Sequence, residues 1–179
     1  MHDKRKIKLR PAIPKDKKKI FNWLTNSNLT TEMMGPPKYP ESKIPTWEEF
    51  DADYAGYYFT GSDPMKGRCF IILYNNIDIG QINYNAISQQ SKTTSMDIWL
   101  SDKKWIGQGI GPKAISILCE YLHKNFACKR VEMAPSQRNT NAIKAYEKAG
   151  FVLTSINLDE SEKDYPDNVV MVKTLQTDK

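Results

Sequence analysis

The chain has 179 residues, 40% hydrophobic, 26% charged and 11% aromatic, with 26 Lys and Arg against 21 Asp and Glu. That is one ordinary domain, residues 1–179, with enough apolar residues for a single substantial core. No apolar run approaches a bilayer span, and Met1–Lys6 is mostly charged, so the expectation is a cytoplasmic protein without signal peptide or membrane segment.

Ile7-Lys8-Leu9-Arg10 reads as an opening strand ended by Pro11. Asp16–Asn26 follows as a helix, with Ile20, Phe21, Trp23 and Leu24 facing inward. Asn28–Pro45 is a Gly- and Pro-rich loop, and loops of that length are usually functional or mobile. Thr46-Trp47-Glu48-Glu49 is a capping box that starts a second helix, made aromatic by Phe50, Tyr54, Tyr57 and Tyr58. Phe50 suits core packing, whereas at least one tyrosine, Tyr54 or a neighbour, is a candidate for a pocket lined with the preceding loop.

Arg68–Tyr74 and Ile77–Tyr84 read as strands around Asn75-Asn76, residues tolerant of a left-handed turn. Gly80 inside the second strand signals a bulge. Ile87–Thr94 reads as a polar connection into Met96–Ser101, where Met96, Ile98 and Leu100 alternate with Asp97, Trp99 and Ser101 as in a half-buried strand. Ile106-Gly107-Gln108-Gly109-Ile110-Gly111 then opens a helix whose apolar face is Ala114, Ile117, Leu118, Tyr121 and Leu122. Alternating glycines ahead of a helix leave backbone N–H groups unobstructed, and the helix dipole adds positive potential. The run is either a phosphate or pyrophosphate site or a flexible loop before an ordinary helix.

Arg130–Ala134 is the next strand. Asn139–Ala149 is a helix stopped by Gly150 as a left-handed cap. Phe151–Ile156 and Asn168–Lys173 make a last pair of strands, joined by an acidic loop through Asp159, Glu160, Glu162 and Asp164. Ala142, Ile143, Tyr146 and Ala149 share one helix face, so Tyr146 faces the core or a cleft. Its phenol is either a core aromatic or a proton donor, and spacing by itself favours the core.

Cys69, Cys119 and Cys128 are odd in number, in apolar settings and without ligand spacing, so no metal is expected. His2 and His123 are the only histidines, which leaves a His-based metal site or a Ser-His-Asp triad little to work with. Positive charge gathers at Lys4–Arg10 and Lys15–Lys19 without an aromatic-basic recognition pattern, so nucleic acid is not expected as a partner.

The glycine loop followed some thirty residues later by Asn139-x-x-Ala142-Ile143-x-x-Tyr146-Glu147-Lys148-x-Gly150-Phe151 resembles the GCN5-related N-acetyltransferases, the GNAT family. The element order matches that family along nearly the whole chain. The resemblance implies a single α+β domain with about four helices and a mixed, mostly antiparallel sheet, splayed between the fourth and fifth strands. Acetyl-coenzyme A would enter the gap, its pyrophosphate on the amides of Gln108–Gly111, flanked by Ile106, Gly107 and Ala142. Backbone groups of Trp99, Leu100 and Ser101 would pair with the pantetheine arm. Asn139 matches a side chain that contacts that arm, and Tyr146 matches the usual general acid. Ile106 departs from the family, since an Arg or Gln commonly stands there, so backbone donors must carry more of the anion binding.

Acetyl transfer to an amine needs a neutral nucleophile, a polarised thioester carbonyl and a proton for the departing sulfur. Asp97 could take a proton from an ammonium through water or hold that ammonium; the alternative is a solvated carboxylate on an exposed strand face. Within the family the chain is most similar to aminoglycoside 6'-N-acetyltransferases. That likeness implies a small polycationic acceptor held by Asp97, with Trp23 and Tyr54 beside it and acidic Glu48, Glu49, Asp51 and Asp53 nearby, in a monomer or homodimer. Ribosomal-protein alanine acetyltransferases imply a protein N-terminus instead. Two readings lie outside this activity: a non-catalytic acyl-coenzyme A binder, and a dinucleotide site from Gly109-x-Gly111-x-x-Ala114 with Glu132. The mid-chain position of that motif and the hairpin series before it oppose a dinucleotide fold.

Overall fold

The computed structural model describes residues 6–175; His2, Lys4 and Arg5 lie outside the described residues. Among the described residues, seven strands form one sheet in the order β1-β2-β3-β4-β5-β7-β6. They are β1 (Ile7–Pro11), β2 (Arg68–Tyr74), β3 (Ile77–Tyr84), β4 (Thr93–Leu100), β5 (Arg130–Met133), β6 (Val152–Leu153) and β7 (Met171–Thr174). All neighbours are antiparallel except β4 and β5, which run parallel. A parallel pair needs a crossover. Here α5 (Ile110–Phe126) supplies it, burying Ala114, Leu118 and Leu122 of the expected stripe, with Ile115 and Cys119 inward where Ile117 and Tyr121 stay half-buried.

The β2–β3 turn places Asn75 and Asn76 at φ +50° and +66°, both left-handed, which suits the right-handed twist of the paired strands. The register slips from Ile72↔Gly80 to Leu73↔Asp78, so a bulge falls beside Gly80. A Cβ on Gly80 would meet the Trp99 carbonyl oxygen at 2.6 Å, so β4 can approach only a glycine there.

Helices cover both faces. On one, α5 and α6 (Thr140–Lys148) pack on Ile72, Ile82, Met96 and Met133 through Ile115, Leu118 and Ala149. On the other, α1 (Lys17–Thr25), α3 (Trp47–Asp53) and α4 (Tyr57–Thr60) pack Ile20, Phe50 and Phe59 on Ile71 and Trp99. Each fully buried Ile, Leu or Phe contributes about 1.5–3 kcal/mol.

The sequence expectations need several corrections. With α2 (Thr30–Met33), the described residues hold six α-helices instead of about four. The first helix begins at Lys17, because Pro14–Asp16 forms a separate 3₁₀ turn. The aromatic helix breaks after Asp53 and resumes as one turn at Tyr57. Strand β4 starts at Thr93, inside the expected polar connection, because parallel pairing with Arg130 recruits it. Strand β6 keeps only two residues, since only Val152 and Leu153 pair with β7.

One feature of the sheet creates the site. The β4–β5 pairing covers Thr93↔Arg130 to Ser95↔Glu132 and then stops. Beyond it β5 follows β7, and a wedge opens beside Met96–Leu100.

Candidate active site

The Ser101 amide donates to the Ile79 carbonyl at 2.8 Å, and Asn85 donates to the Ser95 carbonyl at 3.0 Å. Odd-numbered residues of β4 therefore turn their backbone toward β3. By alternation, the N–H and C=O of Ile98 and Leu100 face the wedge with no neighbouring strand. The sequence expectation for Trp99 and Ser101 is corrected accordingly, because their backbone groups belong to the β3 ladder.

A cavity of about 240 Å³ fills the wedge, lined by Ile98–Leu100, the loop from Trp105 to Pro112 and one face of α6. Gly107 and Gly109 adopt φ of +78° and +76°, and a Cβ at Gly107, Gly109 or Gly111 would meet nothing within 4 Å. The loop is thus an open cradle of main chain. Gly109 is the N-cap of α5 and brings no side chain to the first-turn amides. The N–H groups of Ile110 and Gly111 lack intrahelical acceptors, as in every helix, and Pro112 has no N–H to leave unmatched. This arrangement fits a diphosphate. Lys144 and Lys148 border the same cavity and add cations that sequence reasoning overlooked. Gln108 lies outside the lining; its side chain donates to the Lys104 carbonyl at 2.6 Å.

A second cavity, about 820 Å³, opens on the other side of β4. The two meet at Met33, Ile98, Trp99, Asn139, Ala142 and Tyr146. Asn139 Oδ1 accepts from the Ala142 amide at 3.1 Å and caps α6, while its Nδ2 donates to no group among the described residues. Tyr146 is 9% exposed and its hydroxyl makes no hydrogen bond among the described residues. Burial pushes this phenol well above its ordinary value, and the Asp97 charge pushes the same way. The hydroxyl therefore keeps its proton at neutral pH.

Asp97 lines the second cavity. Its Oδ2 accepts from Asn83 Nδ2 at 3.2 Å and from Asn85 Nδ2 at 3.0 Å. Behind them, Gln81 Nε2 donates to Asn83 Oδ1 at 3.1 Å, and Tyr58 donates to Asn85 Oδ1 at 2.9 Å. Gln81 and Asn83 are fully buried. Among the described residues no cation pairs with Asp97, and Oδ1 has no donor. A carboxylate so presented has the chemistry to receive a cation. Asp53, Glu132, Glu162 and Asp164 line the same space. Burial, and then the charge of Asp97, raise Asp164 above the ordinary carboxylate range.

The description "Acetyltransferase (GNAT) domain" matches residues 6–152. The chain belongs to the GNAT acetyltransferase family. A probable spermine N(1)-acetyltransferase of Bacillus subtilis subsp. natto (strain BEST195) is 31% identical over 80 residues, 45% of this chain and 49% of that protein. This GNAT chain spans about half the length of the curated relatives it matches. Aminoglycoside acetyltransferase AAC(6')-Ib, solved with coenzyme A and kanamycin, superimposes with a TM-score of 0.71 at 20% identity, covering 94% of this chain and 95% of that one. Spermidine N-acetyltransferase from Vibrio cholerae, solved with CoA and spermine, gives 0.72 at 18% identity, with the same coverages. Both likenesses show the GNAT fold.

Of the residues singled out in the sequence, the GNAT wedge gathers Trp99, Leu100, Ile106, Gly107, Gly109, Ile110, Gly111, Asn139, Ala142 and Tyr146 around one cavity. It places Tyr54 with Asp97 on the second. Trp23 lies outside both, half-buried with the Lys19 ammonium 5.5 Å from its ring centre. Of the four acidic residues in α3, only Asp53 lines a cavity. Glu49 closes the capping box with Thr46, and Asp51 pairs with Lys17 at 2.5 Å. Asn83 and Asn85 escaped sequence reasoning, although Gln81-x-Asn83-x-Asn85 is a run of amides at the period of one strand face. Among the described residues no cluster could hold a metal and no helix is long and apolar enough to cross a membrane.

Proposed function

We propose that the chain transfers an acetyl group from acetyl-coenzyme A to a primary amine of a small polycation, an aminoglycoside or a polyamine. One observation carries this reading. Tyr146, a protonated phenol, stands on the wall shared by the two cavities, and Asp97, a carboxylate without a cation, stands in the acceptor cavity.

Acetyl-coenzyme A supplies an activated acetyl thioester. The amides of Ile110 and Gly111 hold its diphosphate, with Lys144 and Lys148 adding positive potential. The wedge-facing backbone of Ile98 and Leu100 pairs with the pantetheine arm as a strand would. Asp97 holds the acceptor ammonium and takes up its proton through water, which frees the nitrogen lone pair. As the C–N bond forms and the C–S bond breaks, Tyr146 would give its proton to the departing thiolate, and the second proton shed by the acylated nitrogen would pass through water to restore the phenol. Five acidic residues against one cation, Lys43, around the acceptor cavity favour a ligand with several amines.

Thiol release from acetyl-coenzyme A, measured with kanamycin, spermine and a peptide with a free N-terminal alanine, tests the proposal. Release with kanamycin or spermine is expected. Release with the peptide alone overturns the small-polycation assignment in favour of a protein N-terminus. Coenzyme A binding without release to any amine leaves a non-catalytic acyl-coenzyme A binder.

A further inference from the structure

The acceptor cavity is also lined by two stretches outside the sheet and the α-helices, 34–45 and 158–168, through Tyr39, Pro45, Leu158 and Tyr165. Such stretches have few ladder hydrogen bonds to hold them. Arg138, at the start of the α6 cap, reaches both. One guanidinium donates to Asp167 from Nε at 3.0 Å and from Nη2 at 2.9 Å. Nη1 donates to the Lys38 carbonyl at 2.8 Å and to Glu41 at 3.2 Å, and Nη2 also bonds Glu41. The guanidinium lies 4.7 Å from the ring centre of Tyr39, which is 1% exposed and packs 5.1 Å from Tyr165. The Tyr165 hydroxyl then donates to the Met33 carbonyl at 3.0 Å. Ser136, buried beneath, donates to Asp167 at 2.8 Å.

We propose that Arg138 is a positioning residue that sets one wall of the acceptor cavity by clasping segment 34–45 to segment 158–168. A planar fork of five N–H donors is the side chain suited to bridge two carboxylates and a carbonyl while stacking on a ring. Lysine, a point charge, can satisfy one carboxylate but not the whole set. Arg138 also holds Glu41 and Asp167 below the ordinary carboxylate range, so both ion pairs persist through neutral pH. The wall bears Tyr165 and Asp164, so the clasp governs how an acceptor sits and leaves the glycine cradle alone.

Amide hydrogen exchange on the full chain tests the clasp in wild type, Arg138→Gln and Glu41→Gln, without any acceptor. The Tyr39 and Ser42 amides donate within the clasped segment, to Gly35 and Tyr39 carbonyls. Both variants are expected to speed their exchange by about 10-fold or more, with β2 and β3 amides unchanged. Unchanged exchange at Tyr39 and Ser42, or faster exchange spread evenly over the sheet, overturns the proposal. If Arg138→Gln does not fold, Glu41→Gln decides, since it cuts one arm and leaves Ser136, Arg138 and Asp167 in place. A kinetic arm rests on the transferase reading: KM for spermine or kanamycin rises about 10-fold, KM for acetyl-coenzyme A stays within about two-fold, and Arg138→Lys recovers only part of the loss. A wild type that acetylates neither amine sinks the small-polycation reading, while the exchange data still decide the clasp.

Discussion

Asp16 and Asp97 are both carboxylates beside β-strands, both held by side-chain donors, and they end in opposite states. Asp16 is 5% exposed. Arg10 grips both of its oxygens, at 2.7 and 3.0 Å, Lys19 lies 3.1 Å away, and the Ile13 amide adds a fourth donor at 3.0 Å. Asp78 completes a closed set of two cations and two anions. Burial opposes the charge on Asp16, and the Arg10 hydrogen bonds overcome it, so the carboxyl sits far below its ordinary range. Among the described residues, Asp97 has two neutral amides on one oxygen and no donor on the other. The first carboxylate receives its cations from the chain as it folds. The second receives no cation from the described chain, which is why the proposed function gives it the acceptor ammonium.

The largest expected effect concerns the proton that faces Asp97 across the shared wall. Tyr146→Phe should lower thiol release by on the order of 10²–10⁴-fold, with urea unfolding nearly unchanged because the ring packing survives. A rate within about two-fold of wild type would remove Tyr146 from the acid role.

The next pair of variants sets the two carboxylates against each other. Asp16→Asn leaves Arg10 and Lys19 short of a buried partner and should cost about 3–5 kcal/mol in urea unfolding, with little change in turnover per folded molecule. The pH sign follows from the depressed carboxyl: its stabilisation is full above the ordinary carboxylate range and is lost as pH falls through the folded value. Asp97→Asn should do the reverse, changing stability by less than about 1 kcal/mol and lowering acceptor kcat/KM by about 100-fold. Equal stability losses in the two variants would erase the distinction.

The smallest effect sharpens the acceptor side. Asp164 is raised above the ordinary range by burial and by Asp97, so it remains partly neutral at pH values where other carboxylates are charged. Its attraction for an amine therefore grows as pH rises through that raised value. The pH profile of kcat/KM for spermine should lose part of its acid limb in Asp164→Asn, by about three-fold, a modest size set by solvent screening.

Much of the molecule was legible before folding. The Asn75-Asn76 turn, the Thr46–Glu49 capping box, the period-two strand at Met96–Ser101 and the glycines before α5 each depend on neighbours within a few residues. The misses share a cause. Trp23 lies on the inward-reading face of its helix yet ends outside both cavities, and Ser101 falls just past the end of β4 and spends its amide on β3. Which way a residue faces in a strand follows from sequence; which partner its backbone meets does not.

By itself the sequence determined the order of elements, the glycine-rich start of α5 and the candidacy of Asp97 and Tyr146, because turn chemistry, capping and apolar periodicity act over one or two turns of chain. Tertiary structure alone decided where β4 and β5 part, that Asp97 rests on Asn83 and Asn85, and that Arg138 meets Glu41 from 97 residues away. Those outcomes rest on contacts between distant segments, whose geometry is set only when the two helical layers close on the sheet.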